Sequence, residues 1–416
     1  MMYSKNTPDR VRVAVIGGGA AGMTAAIFAA QSGADVIIIE RNNIMGKKLR
    51  ITGKGRCNLT NLCELDEFLS NVPTNPKFLY KAFSTLKSKD TMEFFESLGI
   101  PLKVERGNRV FPVSDKAKDI VDALEKKLHE LRVNIIRGRV SEIETENGFI
   151  TAVKCENNSI DCDRVIICTG GASYTACGST GDGYELARKF GHTIIPLKPS
   201  LVPLVSQDKL CRECMGLSLK NVGCGFYDVN SGKELYYEQG EMLFAHFGIT
   251  GPIALSASAH LKKFPVIAKI DLKPALDTAQ LDRRVLRDFE EQKNKEFRNS
   301  LSMLLPNKLI APIIKLSGIN TEKRVNEITR EERQKLVSLL KGLEIKITGT
   351  RPLNEAIITS GGVSVKEIDP STMQSKLQKN LFFAGEVIDS DAYTGGFNLQ
   401  IAFSTAKVAG EKCINE

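Results

Sequence analysis

The chain has 416 residues, and 57 lysines and arginines against 49 acidic residues give a formal net charge of +8 at pH 7. That length exceeds what one hydrophobic core usually holds, so two or three domains are expected. The charge excess is mild for the length, so neither a nucleic acid nor a membrane surface is expected as a partner.

The opening MMYSKNTPDR is polar and lacks the apolar core of a signal peptide, and no stretch reads as a transmembrane span. With ten cysteines and no export signal, free thiols and a cytoplasmic location are expected. A β-branched run from Val11 to Ile16 then enters Gly17-Gly18-Gly19-Ala20-Ala21-Gly22. An alanine-rich helical stretch follows, and a second β-branched run ends at Glu40. Gly17 permits a tight turn off the strand, Gly19 lets the backbone approach a pyrophosphate, and Gly22 lets the helix pack close on the sheet. The helix N–H groups, with Ala20 and Ala21 in the first turn, then face phosphates. Glu40 lies where a carboxylate accepts both hydroxyls of an adenosine ribose. A lone GxGxxG is weak, but here strand, helix, second strand and acid fall together. The segment predicts a dinucleotide site.

Residues 41–61, RNNIMGKKLRITGKGRCNLTN, decide between NAD and FAD. An NAD dehydrogenase usually runs from the second strand into another crossover helix. Here an extended loop follows, as in two-dinucleotide-fold flavoenzymes, where it passes under the pyrophosphate and along the flavin. Gly53, Gly55 and Asn58 suit close backbone approach and hydrogen bonding, while Lys48, Arg50 and Arg56 suit phosphates or an anionic flavin. Arg41, Leu49, Thr52 and Cys57 complete the cofactor set on this segment, and Val140 joins it further on. Non-covalent FAD is the expected cofactor. The run Asp163 to Gly171 reads as a strand sealing the adenosine side, with Thr169, Gly170 and Gly171 at its end.

Between Pro196 and about Gly349 the βα rhythm is lost. Residues 197–273 hold short alternating runs broken by Gly, Asn and Ser, which suit a small antiparallel barrel. Residues 277–343 change to helical spacing: Leu281, Val285 and Phe289 share a face, and Pro306 breaks the run. Thr329 with Glu332 forms a capping box before Leu336, Leu339, Leu340 and Leu343. The resulting division is 1–195 with 346–416 as FAD-binding domain, 196–276 as inserted barrel completed by part of 340–350, and 277–340 as helical bundle. Lys and Arg in the bundle are nearly matched by Asp and Glu, which favours a solvated face over an RNA-binding one.

In the closing segment, Asn380 to Val387 reads as a buried strand ending in Ala384-Gly385-Glu386. Gly395-Gly396-Phe397-Asn398 then opens a helical run that includes Leu399. Glu386 suits ribityl hydroxyls, and the amino end of that helix suits the flavin N1–C2=O. The two ends of the chain are expected to build one cofactor site.

The blocks GGGAAGM, GKKLRITGKGRCNLTN, GGASY, GSTGDGYELARKFGH, HFGITGP and the stretch from Ile358 to Gly410 resemble the BaiN/YhiN-like flavoproteins, which include the aminoacetone oxidase group. They recur in order over essentially the whole chain. The resemblance implies an α/β fold: a Rossmann-like, two-dinucleotide-binding-type FAD domain carrying an inserted β-barrel with a small helical bundle. Thr175-Ala176-Cys177 departs from the family pattern, which usually has a proline there.

Cys57 lies where glutathione-reductase-type enzymes place the first of two redox cysteines, but the matching second position is Leu62. Cys63 is one residue too far, so no flavin-coupled disulfide is expected. Cys211 and Cys214 form a single CxxC with no second pair, and no metal site is expected. His129 and His260 read as surface residues. Tyr393, in the DAYTGGFN turn, is the first candidate proton donor, ahead of His246 in HFGITGP and then Tyr174. No second GxGxxG unit occurs, so NAD(P)H would be a transient co-substrate sharing the substrate cleft. The activity implied is NAD(P)H-driven reduction of an activated C=C in a small apolar molecule, such as a 3-oxo-Δ4 or Δ6 steroid or bile acid. An oxygen-dependent amine oxidase of the aminoacetone type and an RNA-associated flavoprotein are the alternatives.

Overall fold

The computed structural model describes residues 10–156 and 158–414. These form two compact units, one reaching Ser200 and resuming at Leu353, the other running from Leu201 to Pro352.

In the first unit, β1 (Arg12–Ile16), β2 (Asp35–Glu40), β3 (Asn134–Arg137), β4 (Arg164–Ile167) and β5 (Leu381–Phe383) form a parallel sheet ordered β5-β4-β1-β2-β3. Val13 to Ile16 and Val165 to Ile167 are buried, as expected of central parallel strands covered on both faces. Helix α1 (Ala20–Gln31) connects β1 to β2 and is buried continuously from Ala21 to Ala29. One layer over it is α2 (Phe397–Lys412), and the two helices approach closely at Gly410, where a Cβ would lie 2.5 Å from the Ala25 carbonyl oxygen. Thus β5 and α2, from the end of the chain, complete the layers that β1 and α1 begin.

Strand Ile194–Ser200 pairs antiparallel with Ile358–Val363 inside this unit. That pairing keeps residues 196–200 with the first unit and moves the border from 195/196 to 200/201.

The second unit is a closed six-stranded barrel with helices. Around the barrel the strands are Leu204–Ser206, Gly248–Thr250, Glu234–Ala245, Ser218–Asp228, Val266–Asp271 and Leu343–Thr350. The last of these alternates buried Leu343, Ile345 and Ile347 with exposed Glu344 and Lys346, the period-two pattern of a strand with one face inward. Leu343, read from sequence as helical, therefore opens the strand that closes the barrel, and the second border falls at 352/353 instead of 345/346. Helices Thr278–Glu291, Asn307–Ser317 and Arg330–Lys341 share a core with the barrel. Leu281, Val285 and Phe289 are all buried. The Thr329–Glu332 capping box forms, with Glu332 N donating to Thr329 Oγ1 at 3.2 Å and Thr329 N to Glu332 Oε2 at 2.7 Å. No helix of the described residues is long and apolar enough to cross a membrane.

Candidate cofactor site

The site is built from the turn after β1. Gly17 has φ +105°, and a Cβ there would lie 2.6 Å from the Cys168 carbonyl oxygen. At Gly22 the added carbon would meet the Gly17 carbonyl oxygen at 1.8 Å, so helix and strand are in direct backbone contact. Gly19 differs, with no heavy atom within 4 Å of its would-be Cβ. Gly19 is the N-cap of α1, no side chain accepts from the first N–H groups, and the first turn carries no acid. The amino end of α1, with Ala20 and Ala21, keeps its donors and its positive dipole end available beside an open approach. This arrangement fits a pyrophosphate.

Glu40 is buried at the end of β2 and locked in place. Its Oε2 accepts from Gly18 N at 2.6 Å, and its Oε1 accepts from Asn42 N and Asn42 Nδ2, both at 2.7 Å. Asn42 Nδ2 also donates to the Cys177 carbonyl at 3.1 Å. The Thr175–Cys177 departure from the family pattern forms a short 3₁₀ turn, and through this bond it supports Asn42 and so Glu40.

A second carboxylate lies past β5. Gly385, at φ +77°, brings this turn against α1, its would-be Cβ lying 2.8 Å from Ala21 Cβ. Glu386 Oε2 accepts from Lys48 Nζ at 2.6 Å, while Oε1 accepts from Ser173 Oγ at 3.0 Å and Thr359 N at 2.8 Å. Lys48 Nζ also donates to Ser173 Oγ at 2.9 Å. Gly171 sits against this cluster, since a Cβ there would lie 2.8 Å from Glu386 Oε1. Thr169 and Gly170 are half-buried just before it, whereas Val140 is buried in the hydrophobic core.

The loop from Lys48 to Asn58 threads between these anchors with Gly53, Lys54, Gly55 and Cys57 all at positive φ. Leu49 is buried, and Thr52 Oγ1 donates to the Leu49 carbonyl at 2.7 Å. Two acceptors here, Asn58 Oδ1 and Asn61 Oδ1, are buried without a hydrogen-bond partner. A ligand with N–H donors on a planar ring edge, as an isoalloxazine has, complements such acceptors. The donor set fits FAD.

Gly396 is the N-cap of α2 at φ +102°, with no side-chain cap, and a Cβ there would overlap the Thr60 backbone at 2.4 Å. Phe397 is buried and Leu399 half-buried beneath the amino end. Asn398 shapes the preceding loop: Oδ1 accepts from Ala392 N at 2.9 Å, and Nδ2 donates to the Ala392 and Tyr393 carbonyls at 2.7 and 3.2 Å. Tyr393 N donates to the Asn71 carbonyl at 3.0 Å. Both sides of the Tyr393 backbone are thereby held, leaving its half-buried side chain on a fixed loop.

The chain matches the family described as HI0933-like protein Rossmann domain over residues 11–412. It belongs to that family. The HI0933-like chain is an FAD-dependent oxidoreductase. It is 31% identical over 409 residues to the 3-dehydro-bile acid delta(4,6)-reductase of Clostridium scindens, covering 96% of this chain and 98% of the relative. It is 28% identical over 409 residues to the ribosomal RNA dihydrouridine synthase of Escherichia coli K12, covering 98% of each. Its fold is that of the 3-ketosteroid-delta4-(5alpha)-dehydrogenase of Rhodococcus jostii RHA1, with a TM-score of 0.53, 14% identity and 99% of both chains covered.

Several side chains of this HI0933-like chain are ion-paired within the protein. The Arg56 guanidinium pairs with Glu105 and Asp115 and stacks over Phe111 at 4.2 Å. Arg50 pairs with Asp122 and Glu125, and Arg41 with Asp182. Burial pushes the Cys57 thiol up to about 12, which makes it a packing group and a poor nucleophile. Burial likewise raises Cys211 and Cys214 to about 11 in the barrel core.

His246 belongs to the second unit, exposed in the tight connection between Glu234–Ala245 and Gly248–Thr250, its ring edge-on to Phe247 at 5.0 Å. His129 is exposed. His260 is not a surface residue: it is half-buried and stacked on Tyr236 at 4.2 Å, because its helix packs on the barrel strand that carries Tyr236. Sequence reasoning also missed Asn42, Ser173 and Thr359, which orient the two acids. Ser173 lay in the GGASY block, but nothing in one sequence distinguishes a hydroxyl that holds a carboxylate from one that faces water.

Proposed function

We propose that this chain is an NAD(P)H-driven reductase of a carbon–carbon double bond conjugated to a carbonyl. One observation carries the reading: two relatives that span nearly the whole chain bear names describing the same bond chemistry. A delta(4,6)-reductase of 3-dehydro-bile acids saturates an enone or dienone. A dihydrouridine differs from uridine by two hydrogens across a C=C that is conjugated to a ring carbonyl. The substrate proposed is a small apolar enone such as a 3-oxo steroid or bile acid.

FAD, when bound and reduced by hydride from NAD(P)H, would supply that hydride to the β-carbon of the enone and return to the oxidised form. In this reading the α1 amino end and Glu40 bind pyrophosphate and ribose. Lys48 and Glu386 meet the ribityl chain, and the α2 amino end stabilises negative charge on the flavin's pyrimidine side. Tyr393 protonates the α-carbon, since the enolate left by β-attack must gain a proton. A uracil base in ribosomal RNA is the second reading, favoured by the full-length match to the Escherichia coli relative.

Anaerobic stopped-flow spectroscopy tests the proposal. NADH or NADPH should bleach the flavin band, and a 3-oxo-Δ4 steroid should restore it. Restoration only by ribosomal RNA transfers the assignment to the second reading. Bleaching by aminoacetone without nicotinamide, followed by recovery in oxygen, replaces both with an amine oxidase.

A further inference from the structure

In the first unit, strands Leu102–Glu105 and Arg109–Pro112 are joined by the turn Arg106-Gly107-Asn108, and every carbonyl of that turn is held. The Arg106 carbonyl accepts from Arg109 Nε at 3.0 Å, the Gly107 carbonyl from Asn61 Nδ2 at 3.0 Å, and the Asn108 carbonyl from Leu62 N at 2.7 Å. Asn61 Nδ2 also donates to the Gly395 carbonyl at 3.2 Å, so one nitrogen ties this turn to the residue just ahead of the α2 N-cap. Asn61 is buried, and its Oδ1 is an acceptor without a partner at the same seam. The turn is thereby fastened to the loop that carries Tyr393.

The charges on this hairpin do not cancel. Glu105 and Asp115 are both shared between Arg56 and Lys103, at distances from 2.5 to 3.7 Å. Arg106 and Arg109 are exposed, and among the described residues neither guanidinium has an ion pair. Arg109 is occupied in holding the Arg106 carbonyl and lies 5.9 Å from the Phe111 ring centre. That leaves the Arg106 charge. A Cβ on Gly107 would meet no heavy atom within 4 Å, so the space beside the turn is open. An exposed arginine is ordinarily a solvated charge, and pairing it gains little because the side chain must be ordered. Arg106 differs in its mount: a backbone fixed beside the cofactor site lowers the ordering cost of binding there.

Resting on the reductase reading, we infer that Arg106 selects the substrate class by pairing with a carboxylate at the far end of an enone whose reacting ring lies at the flavin. Of the substrates proposed above, this favours the bile-acid type over a neutral 3-oxo steroid. Guanidinium and carboxylate match as planar, two-pronged partners. One unpaired arginine beside acids that are already neutralised suits a single carboxylate, whereas a nucleic-acid backbone needs several cations in a row.

Isothermal titration into the FAD-loaded full chain, oxidised and without nicotinamide, tests this apart from turnover. The probes are a 3-oxo-Δ4 bile acid, its methyl ester and a ribosomal RNA fragment. The acid should bind about five- to ten-fold tighter than the ester, the effect of one charge-assisted pair at a solvated rim. Arg106→Gln, at an exposed position, should bring the acid to the ester's affinity without changing the melting temperature. Equal affinity for acid and ester in the wild type overturns the inference, as does an acid preference that survives the substitution. Absence of steroid binding, or RNA as the one probe whose binding depends on Arg106, overturns it too. Failure of the reductase reading looks different: the acid binds with its Arg106 dependence but does not restore a bleached flavin, which keeps the anchor and removes the redox assignment.

Discussion

Lys48 and Glu386, 338 residues apart in sequence, form an ion pair of 2.6 Å inside the first unit, with side chains only 21% and 17% exposed. The pair ties the loop after β2 to the turn after β5, and Ser173 bonds to both partners. A contact of this kind makes the two ends of the chain one structural object.

Removing one partner strands the other in a mostly buried setting. Lys48→Met should therefore lower the melting temperature and FAD retention more than Glu386→Gln does, because it leaves an unpaired carboxylate where the reverse change leaves a neutral amide that still accepts from Thr359 N. The double variant should be less damaging than the sum, with a coupling of about 0.5–3 kcal/mol. Additive losses in a double-mutant cycle of thermal melts would show that the pair is incidental.

The glycines of the first turn separate folding from binding. At Gly22 an alanine Cβ would overlap the Gly17 carbonyl oxygen, so Gly22→Ala should unfold the chain or shift its border between α1 and the sheet. Gly19→Ala meets no atom and, as an N-cap change, should cost only about a few tenths to 1 kcal/mol of stability. It should nonetheless cut FAD affinity strongly, because the methyl occupies the pyrophosphate approach. Equal FAD affinity in Gly19→Ala and wild type, measured by equilibrium dialysis, would remove this turn from the cofactor site.

How far a sequence shows such a site depends on whether the constraint is local. Gly17 and Gly22 are legible because the close approach of one helix and one strand leaves glycine as the only residue that fits, and Glu40 because it ends the next strand of the same local unit. The barrel is legible from alternation and its closing strand is expected within 340–350, but Leu343, which opens it, also keeps helical spacing with Leu336 and Leu340 and so reads as helix. The pairing of Arg56 with Glu105 and Asp115, and of Lys48 with Glu386, depends on which segments the fold brings together. A charged side chain in a loop looks the same before that is known.

His192 gives the fold a pH dependence with a definite sign. Its ring is buried edge-on to Phe383, with Nδ1 3.2 Å from Glu367 Oε2 and Nε2 2.7 Å from Ser375 Oγ. Burial lowers its pKa, with Glu367 opposing. The unfolded chain therefore binds the proton more readily than the native one, so this contribution to stability is present above about 6.5 and is lost as pH falls below it. Melting temperature should fall between pH 7 and pH 5, and His192→Gln should flatten the curve even though it lowers stability at pH 7. His260, lowered by burial as well, contributes in the same direction and is retained in the variant, so the difference between the two curves isolates His192. Parallel curves would mean that His192 is protonated equally in both states.

Tyr393 is the residue on which the proposed chemistry turns. Its loop is fixed from three sides: Asn398 bonds the carbonyls of Ala392 and Tyr393, Tyr393 N reaches Asn71, and Gly396 seats the start of α2 on Thr60. A side chain on such a loop keeps one height relative to the α2 amino end, which is what a proton donor to an enolate needs. Tyr393→Phe removes the acidic proton and leaves every one of these backbone contacts intact. FAD content and flavin bleaching by NAD(P)H should then be unchanged, while flavin reoxidation by an enone slows about a hundred- to ten-thousand-fold. The rate should also lose any dependence on solvent deuterium that comes from the tyrosine proton. Reoxidation at the wild-type rate would leave Tyr393 as a packing residue and pass protonation to solvent.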